Sequence, residues 1–221
     1  MKLPLLVAAA FTLASARADY LTTFTIPPYT LDQTILGVDG WNDRLLIEKG
    51  KPDTMRVVAV RWNDYKPALM MKGANLKHPF APTTGDRVKI TFDLAMTFPD
   101  KGALRPFRIG FNGAPCGEVF MDMGAEGGLG FQADGSGRGG VVALKKAEVK
   151  INSFYTFTVA IDYAKHTYDL SITGEKRDGT PFHHQAKDVA FESKAKTVSD
   201  LYIIAGSDVT AYLGSIAIRS E

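Results

Sequence analysis

The chain has 221 residues, 45% of them hydrophobic and 23% charged, with a formal net charge of +2. Its basic residues are scattered, which argues against the clustered positive surface of a nucleic-acid or anionic-membrane partner. A single cysteine, Cys116, excludes an internal disulfide, so the fold must be held by its apolar core.

Residues 1–18 have the pattern of a secretory signal peptide. Lys2 supplies the positive start, Leu3 to Leu13 is apolar apart from Pro4 and Thr12, and Ala16-Arg17-Ala18 places small residues before Asp19. The segment is too short for a permanent span. No cysteine follows it for lipid attachment, and Ile216 to Glu221 form no apolar tail. The expectation is a secreted or periplasmic protein without a membrane anchor, with one β-sandwich domain over residues 19–221. Cleavage removes Lys2 and Arg17, so the 26 basic residues fall to 24, equal to the 24 acidic ones.

The first distinctive motif is Gly37-Val38-Asp39-Gly40-Trp41, a predicted turn. Asp39, Asn42 and Asp43 could offer oxygen ligands to calcium, with backbone carbonyls completing the shell. The same residue types also build turns by bonding their own backbone. Trp41 and Trp62 suit the core, although an exposed tryptophan could form a platform for a sugar ring.

Strand signals follow. Val57 to Trp62 and Leu69 to Met71 are short apolar runs. Arg87 to Phe98 alternates cleanly, with Val88, Ile90, Phe92, Leu94, Met96 and Phe98 on one face. Phe107, Ile109 and Phe111 repeat the pattern, as do Val119, Met121 and Met123. Leu129 to Phe131 and Val141 to Leu144 are further short runs. From Phe154 to Thr173 the period of two holds on both sides of Ala164-Lys165-His166-Thr167, which predicts a long antiparallel hairpin. Tyr155, Phe157, Val159, Ile161 and Tyr163 form its inward set. Ala186 to Val198, rich in alanine and lysine, could hold a short helix. Leu201 to Ile204 and Tyr212 to Ile218 are the closing strands.

Several constellations bear on chemistry. Cys116 lies between Pro115 and Gly117 with no evident histidine partner, which suits an inert thiol rather than a nucleophile. Glu118 and Asp122 share a strand face but lie about 13 Å apart. A retaining glycosidase needs its two carboxyls about 5 Å apart. Gly124 to Gly140 is rich in glycine and contains G-x-G-x-x-G from Gly135. Strand-like Val141 to Leu144 follows it instead of a helix, so a mobile loop or the lip of a cleft is expected there, not a nucleotide site. His78 and His166 stand alone, His166 in the hairpin turn. His183 and His184 are expected in a loop, and neighbours on extended chain point apart, which disfavours shared metal ligation.

The order of these features resembles the concanavalin A-like lectin/glucanase superfamily, and within it the laminin-G-like jelly rolls of exported bacterial proteins. The resemblance rests on Gly37-Val38-Asp39-Gly40-Trp41, the late hairpin, and the closing Ala211-Tyr212-Leu213-Gly214-Ser215-Ile216-Ala217-Ile218. It implies an all-β fold, a two-sheet antiparallel jelly-roll sandwich. Such closing strands often carry acidic or amide residues where this chain has Gly214 and Ser215. Polysaccharide lyases of this type use an arginine, an amide, a histidine and a tyrosine over the concave sheet. Here Gln132-Ala133-Asp134 lacks their Gln-x-His arrangement. The reading is an exported, non-catalytic module for a polysaccharide or glycan, with Arg108, Asp122 and Gln132 as ligand-binding candidates and calcium as the one cofactor considered. The alternatives are a hydrolase or lyase on the same jelly roll, or an adhesion protein with a protein partner.

Overall fold

The computed structural model describes residues 20–25, 27–43, 55–60, 66–97, 108–112, 128–131, 141–191 and 196–221. Within them are twelve strands: β1 (Tyr20–Thr22), β2 (Asn42–Asp43), β3 (Met55–Ala59), β4 (Pro67–Pro79), β5 (Arg87–Thr97), β6 (Arg108–Asn112), β7 (Gly128–Phe131), β8 (Val141–Lys145), β9 (Tyr155–Asp162), β10 (Thr167–Glu175), β11 (Pro181–Ala190) and β12 (Asp200–Ser220). The one helical segment among the described residues is a 3-10 turn at Lys146–Glu148. Every strand pairing described is antiparallel.

Ten strands form one hydrogen-bonded network in the order β11-β10-β9-β5-β12-β4-β2, with β1 and β6 on β12 and β3 on β4. Strand β12 changes neighbours along its length. Asp200 to Ile204 lie between β4 and β6, whereas Thr210 to Leu213 lie between β4 and β5. The second sheet, β7-β8, sends Leu129 and Leu144 into the common core.

The predicted hairpin is β9-β10, in register from Asp162 against Thr167 to Thr156 against Thr173. Its inward set is buried: Tyr155, Phe157, Val159, Ile161 and Tyr163. In β5, Val88, Ile90, Phe92 and Leu94 are likewise buried. Phe92 and Phe157 are paired across β5 and β9, and their rings stack at 4.8 Å. Such contacts contribute beyond burial alone. The strand faces assigned from alternation are therefore correct for both segments.

The structure corrects three expectations. Residues 186–190 are strand, not helix: they belong to β11, where Ala186 pairs with Leu170. Cross-strand pairing overrides the local helical preference of alanine and lysine. One extra residue is accommodated there by a bulge, with Asp188 at φ 52° and its amide donating to Asp169 Oδ1. His183 and His184 likewise sit in β11, paired with Thr173 and Ile172, not in a loop. The two predicted closing strands are one 21-residue strand, β12. The signal segment, Cys116, Trp62, Glu118 and most of the glycine-rich stretch lie outside the described residues.

Candidate functional site

The site begins with an irregularity in β12. Ala211 and Leu213 point into the core, and so do Ile216 and Ile218. That spacing is out of phase by one residue, and the register with β5 shows why. Leu213 pairs with Leu94 but Ser215 pairs with Asp93, so Gly214 is an extra residue in a β-bulge. Bulges of this type turn a side chain away from its regular direction and are frequent beside binding sites.

Only glycine fits the bulge comfortably. A Cβ on Gly214 would stand 3.1 Å from Cε1 of Phe154 and 3.2 Å from Cβ of Asp93. The neighbours would have to give way. The lack of a side chain therefore keeps the floor of a groove open, and that groove has a volume of about 640 Å³. This lies within the range of ~300–1,000 Å³ usual for small-molecule sites.

The floor is a row across three adjacent strands. Asp93 of β5 pairs with Thr156 of β9 on one side and Ser215 of β12 on the other. Both hydroxyls donate to its carboxylate: Thr156 Oγ1 to Oδ1 at 2.6 Å, and Ser215 Oγ to Oδ2 at 2.6 Å. These are short bonds to a charged acceptor, the stronger class of hydrogen bond. They fix the rotamers of all three side chains.

The walls come from segments flanking the strands. Phe154, half-buried, precedes β9 together with Ser153. Thr23 and Thr25 follow β1, their hydroxyls 2.6 Å apart, and exposed Lys66 with Pro67 closes the rim at the start of β4. An aromatic ring thus stands beside a dense set of hydroxyls and one carboxylate. Asp93 is the one carboxylate among the described residues lining the groove.

The Gly37–Trp41 motif forms a turn, with positive φ at Gly37, Asp39 and Gly40. Trp41 is fully buried, so it serves the core and not a sugar platform. Asp39 Oδ2 accepts a 2.6 Å hydrogen bond from Tyr29 Oη, and the Asp39 carbonyl bonds His78 Nε2. A carbonyl requires a donor, which assigns the ring proton to Nε2. His78 is packed against Tyr20 and Trp41, with centroids 4.7 and 4.9 Å away. Burial pushes its imidazole below the ordinary histidine value, although the Asp39 carbonyl and carboxylate oppose this. Burial likewise raises the Tyr29 phenol, and the Asp39 hydrogen bond adds to it. Asn42 is exposed and its Nδ2 donates to the Gly40 carbonyl, a bond that braces the turn. Among the described residues no group of three or more His, Cys, Asp or Glu side chains is arranged to hold a metal ion.

The other sequence candidates divide by position. Arg108 lies in β6, paired with Ile204, but its side chain is outside the described set, as is that of Asp43. Asp122 and Gln132 lie outside the described residues altogether. The structure thus brings together a set that the sequence reading did not single out: Asp93, Thr156, Ser215 and Phe154.

No protein-family model and no curated protein matches the chain. Among solved structures, it is similar to a PL-14 alginate lyase from Aplysia kurodai, at 11% identity and a TM-score of 0.48, covering 77% of this chain and 88% of that one. It is similar to peanut lectin, at 11% identity and 0.48, covering 86% and 95%. Lectin II from Ulex europaeus is similar at 9% identity and 0.48, covering 92% and 99%. The described residues themselves form an all-β, wholly antiparallel architecture. One all-β scaffold carries many functions, so function is read from the groove.

Proposed function

We propose that the chain is an exported, non-catalytic carbohydrate-binding module whose ligand seats in the Asp93 groove. The observation that carries this reading is the fixed Thr156–Asp93–Ser215 row lying beside half-buried Phe154. Sugars present hydroxyls around an apolar ring face. A preset row of hydrogen-bond partners meets the first, and an aromatic ring meets the second. The floor is prearranged on strands, so little ordering entropy is lost on binding. Asp93 is the one carboxylate among the described residues lining the groove, whereas a glycosidase sets a pair across the scissile bond. Export rests on residues 1–18.

The test is a screen of the secreted protein on a broad polysaccharide panel. Shallow sites of this kind bind with micromolar to millimolar dissociation constants, about −8 to −4 kcal/mol. Asp93→Ala should weaken binding at least about tenfold, since it removes a charged acceptor and unfastens two hydroxyls. Phe154→Ala should weaken it by a similar order. No new reducing ends or unsaturated products should appear, and intact mass should start at Asp19. Binding unchanged in both variants removes the groove from the account, and turnover moves the protein to the enzymes.

A further inference from the structure

The groove also has a direction of hydrogen bonding, and this deepens the carbohydrate reading, on which it rests. Thr156 and Ser215 each have a single hydroxyl proton, and each proton is committed to Asp93. Toward the groove these two side chains therefore present lone pairs only. Asp93 itself is an acceptor, with lone-pair capacity beyond the two bonds it receives. Three neighbouring side chains on the floor thus ask for donors, and none of them offers one.

We propose that this floor selects glycans by hydrogen-bond polarity: it takes neutral sugars and amino sugars and rejects uronates. A sugar hydroxyl can donate to any of the three floor groups. The ammonium of an amino sugar carries three donors and a charge opposite to that of Asp93. A uronate carboxylate set over the floor meets only acceptors and a like charge, and binding strips water from it without replacement. Lys66 is the one cation lining the groove among the described residues, and it stands exposed at the rim, outside the hydrogen-bonded row. The donor-poor floor follows from a bulge that places Ser215 directly opposite Asp93, where it spends its proton.

The experiment compares three β-1,4-linked hexasaccharides on the secreted protein by isothermal titration: a neutral glucose hexamer, a glucosamine hexamer and a mannuronate hexamer. The glucosamine and glucose hexamers should bind, and the mannuronate hexamer should bind at least about tenfold more weakly than either. In Asp93→Asn one carboxylate oxygen becomes an amide donor, the floor loses its charge, and the hydroxyl facing the new NH2 must turn its proton toward the groove. The gap between glucosamine and mannuronate hexamers should then shrink to about threefold or less, with the melting temperature recorded to show the variant is folded. Mannuronate binding as tight as glucosamine binding in the natural protein overturns the polarity inference and leaves the carbohydrate reading in place. An Asp93→Asn variant that keeps the full discrimination overturns it in the same way. Silence toward all three, with no ligand on the wider panel, removes both.

Discussion

Phe157→Asp should destabilise the protein by at least about 4 kcal/mol, measured by denaturant or thermal unfolding. Phe157 is fully buried at the middle of β9, with its ring stacked on Phe92. Truncating a buried phenylalanine alone costs about 3–5 kcal/mol. A carboxylate left in the same place would also lose its hydration with no partner supplied. Thr158→Asp is the control. Thr158 occupies the next position, faces away from the core and pairs with Thr91 and Ser171, so its replacement should cost about 1 kcal/mol or less. Equal losses for the two would contradict the face assignment of the hairpin.

Gly174→Val should lower stability by about 3 kcal/mol, for a reason of space. A Cβ at Gly174 would lie 2.4 Å from Cδ1 of Tyr155, well inside contact distance. The ring cannot easily swing aside. Tyr155 Oη accepts from the Lys150 amide at 2.8 Å and donates to the Glu175 carbonyl at 2.7 Å. The phenol is thus tied at its far end while its edge lies against the glycine. Gly174→Ala should clash in the same way, and Tyr155→Ala should leave a cavity. Combined, the two changes relieve each other, because the alanine methyl enters vacated space. The double variant should be less destabilised than the sum of the single changes by about 1 kcal/mol or more. Strict additivity in unfolding experiments would show that the contact is not what requires glycine here.

What could be read from the chain follows from which forces set a two-residue period. The β5 and β9-β10 segments alternate because one face is buried along their length, and there the inward residues read from the sequence are buried; Ala95, read as outward, is buried too, and Phe98 lies outside the described residues. Residues 186–190 misled because they lie in β11, where the burial alternation is interrupted around the Asp188 bulge. With that period weakened, local preference dominated the reading, whereas pairing with β10 decided the structure. The groove was hidden for a different reason. Asp93 and Thr156 are outward residues of regular strands, indistinguishable in sequence from any solvated position. Their pairing depends on register, which a single strand does not encode. One signal was present: Ala211, Leu213, Ile216 and Ile218 break phase at Gly214-Ser215, and a broken phase in an otherwise regular strand marks a bulge.

A glycan seated on the Thr156–Asp93–Ser215 row should perturb those residues first. The most direct measurement is backbone amide chemical-shift mapping of the isotope-labelled protein as the tightest-binding neutral oligosaccharide is titrated in. The largest shifts should cluster at Asp93, Phe154, Thr156, Gly214 and Ser215, saturate together with one dissociation constant, and vanish in Asp93→Ala. Shifts concentrated instead at the Gly37–Trp41 turn or along β11, with the groove unmoved, would contradict this seating.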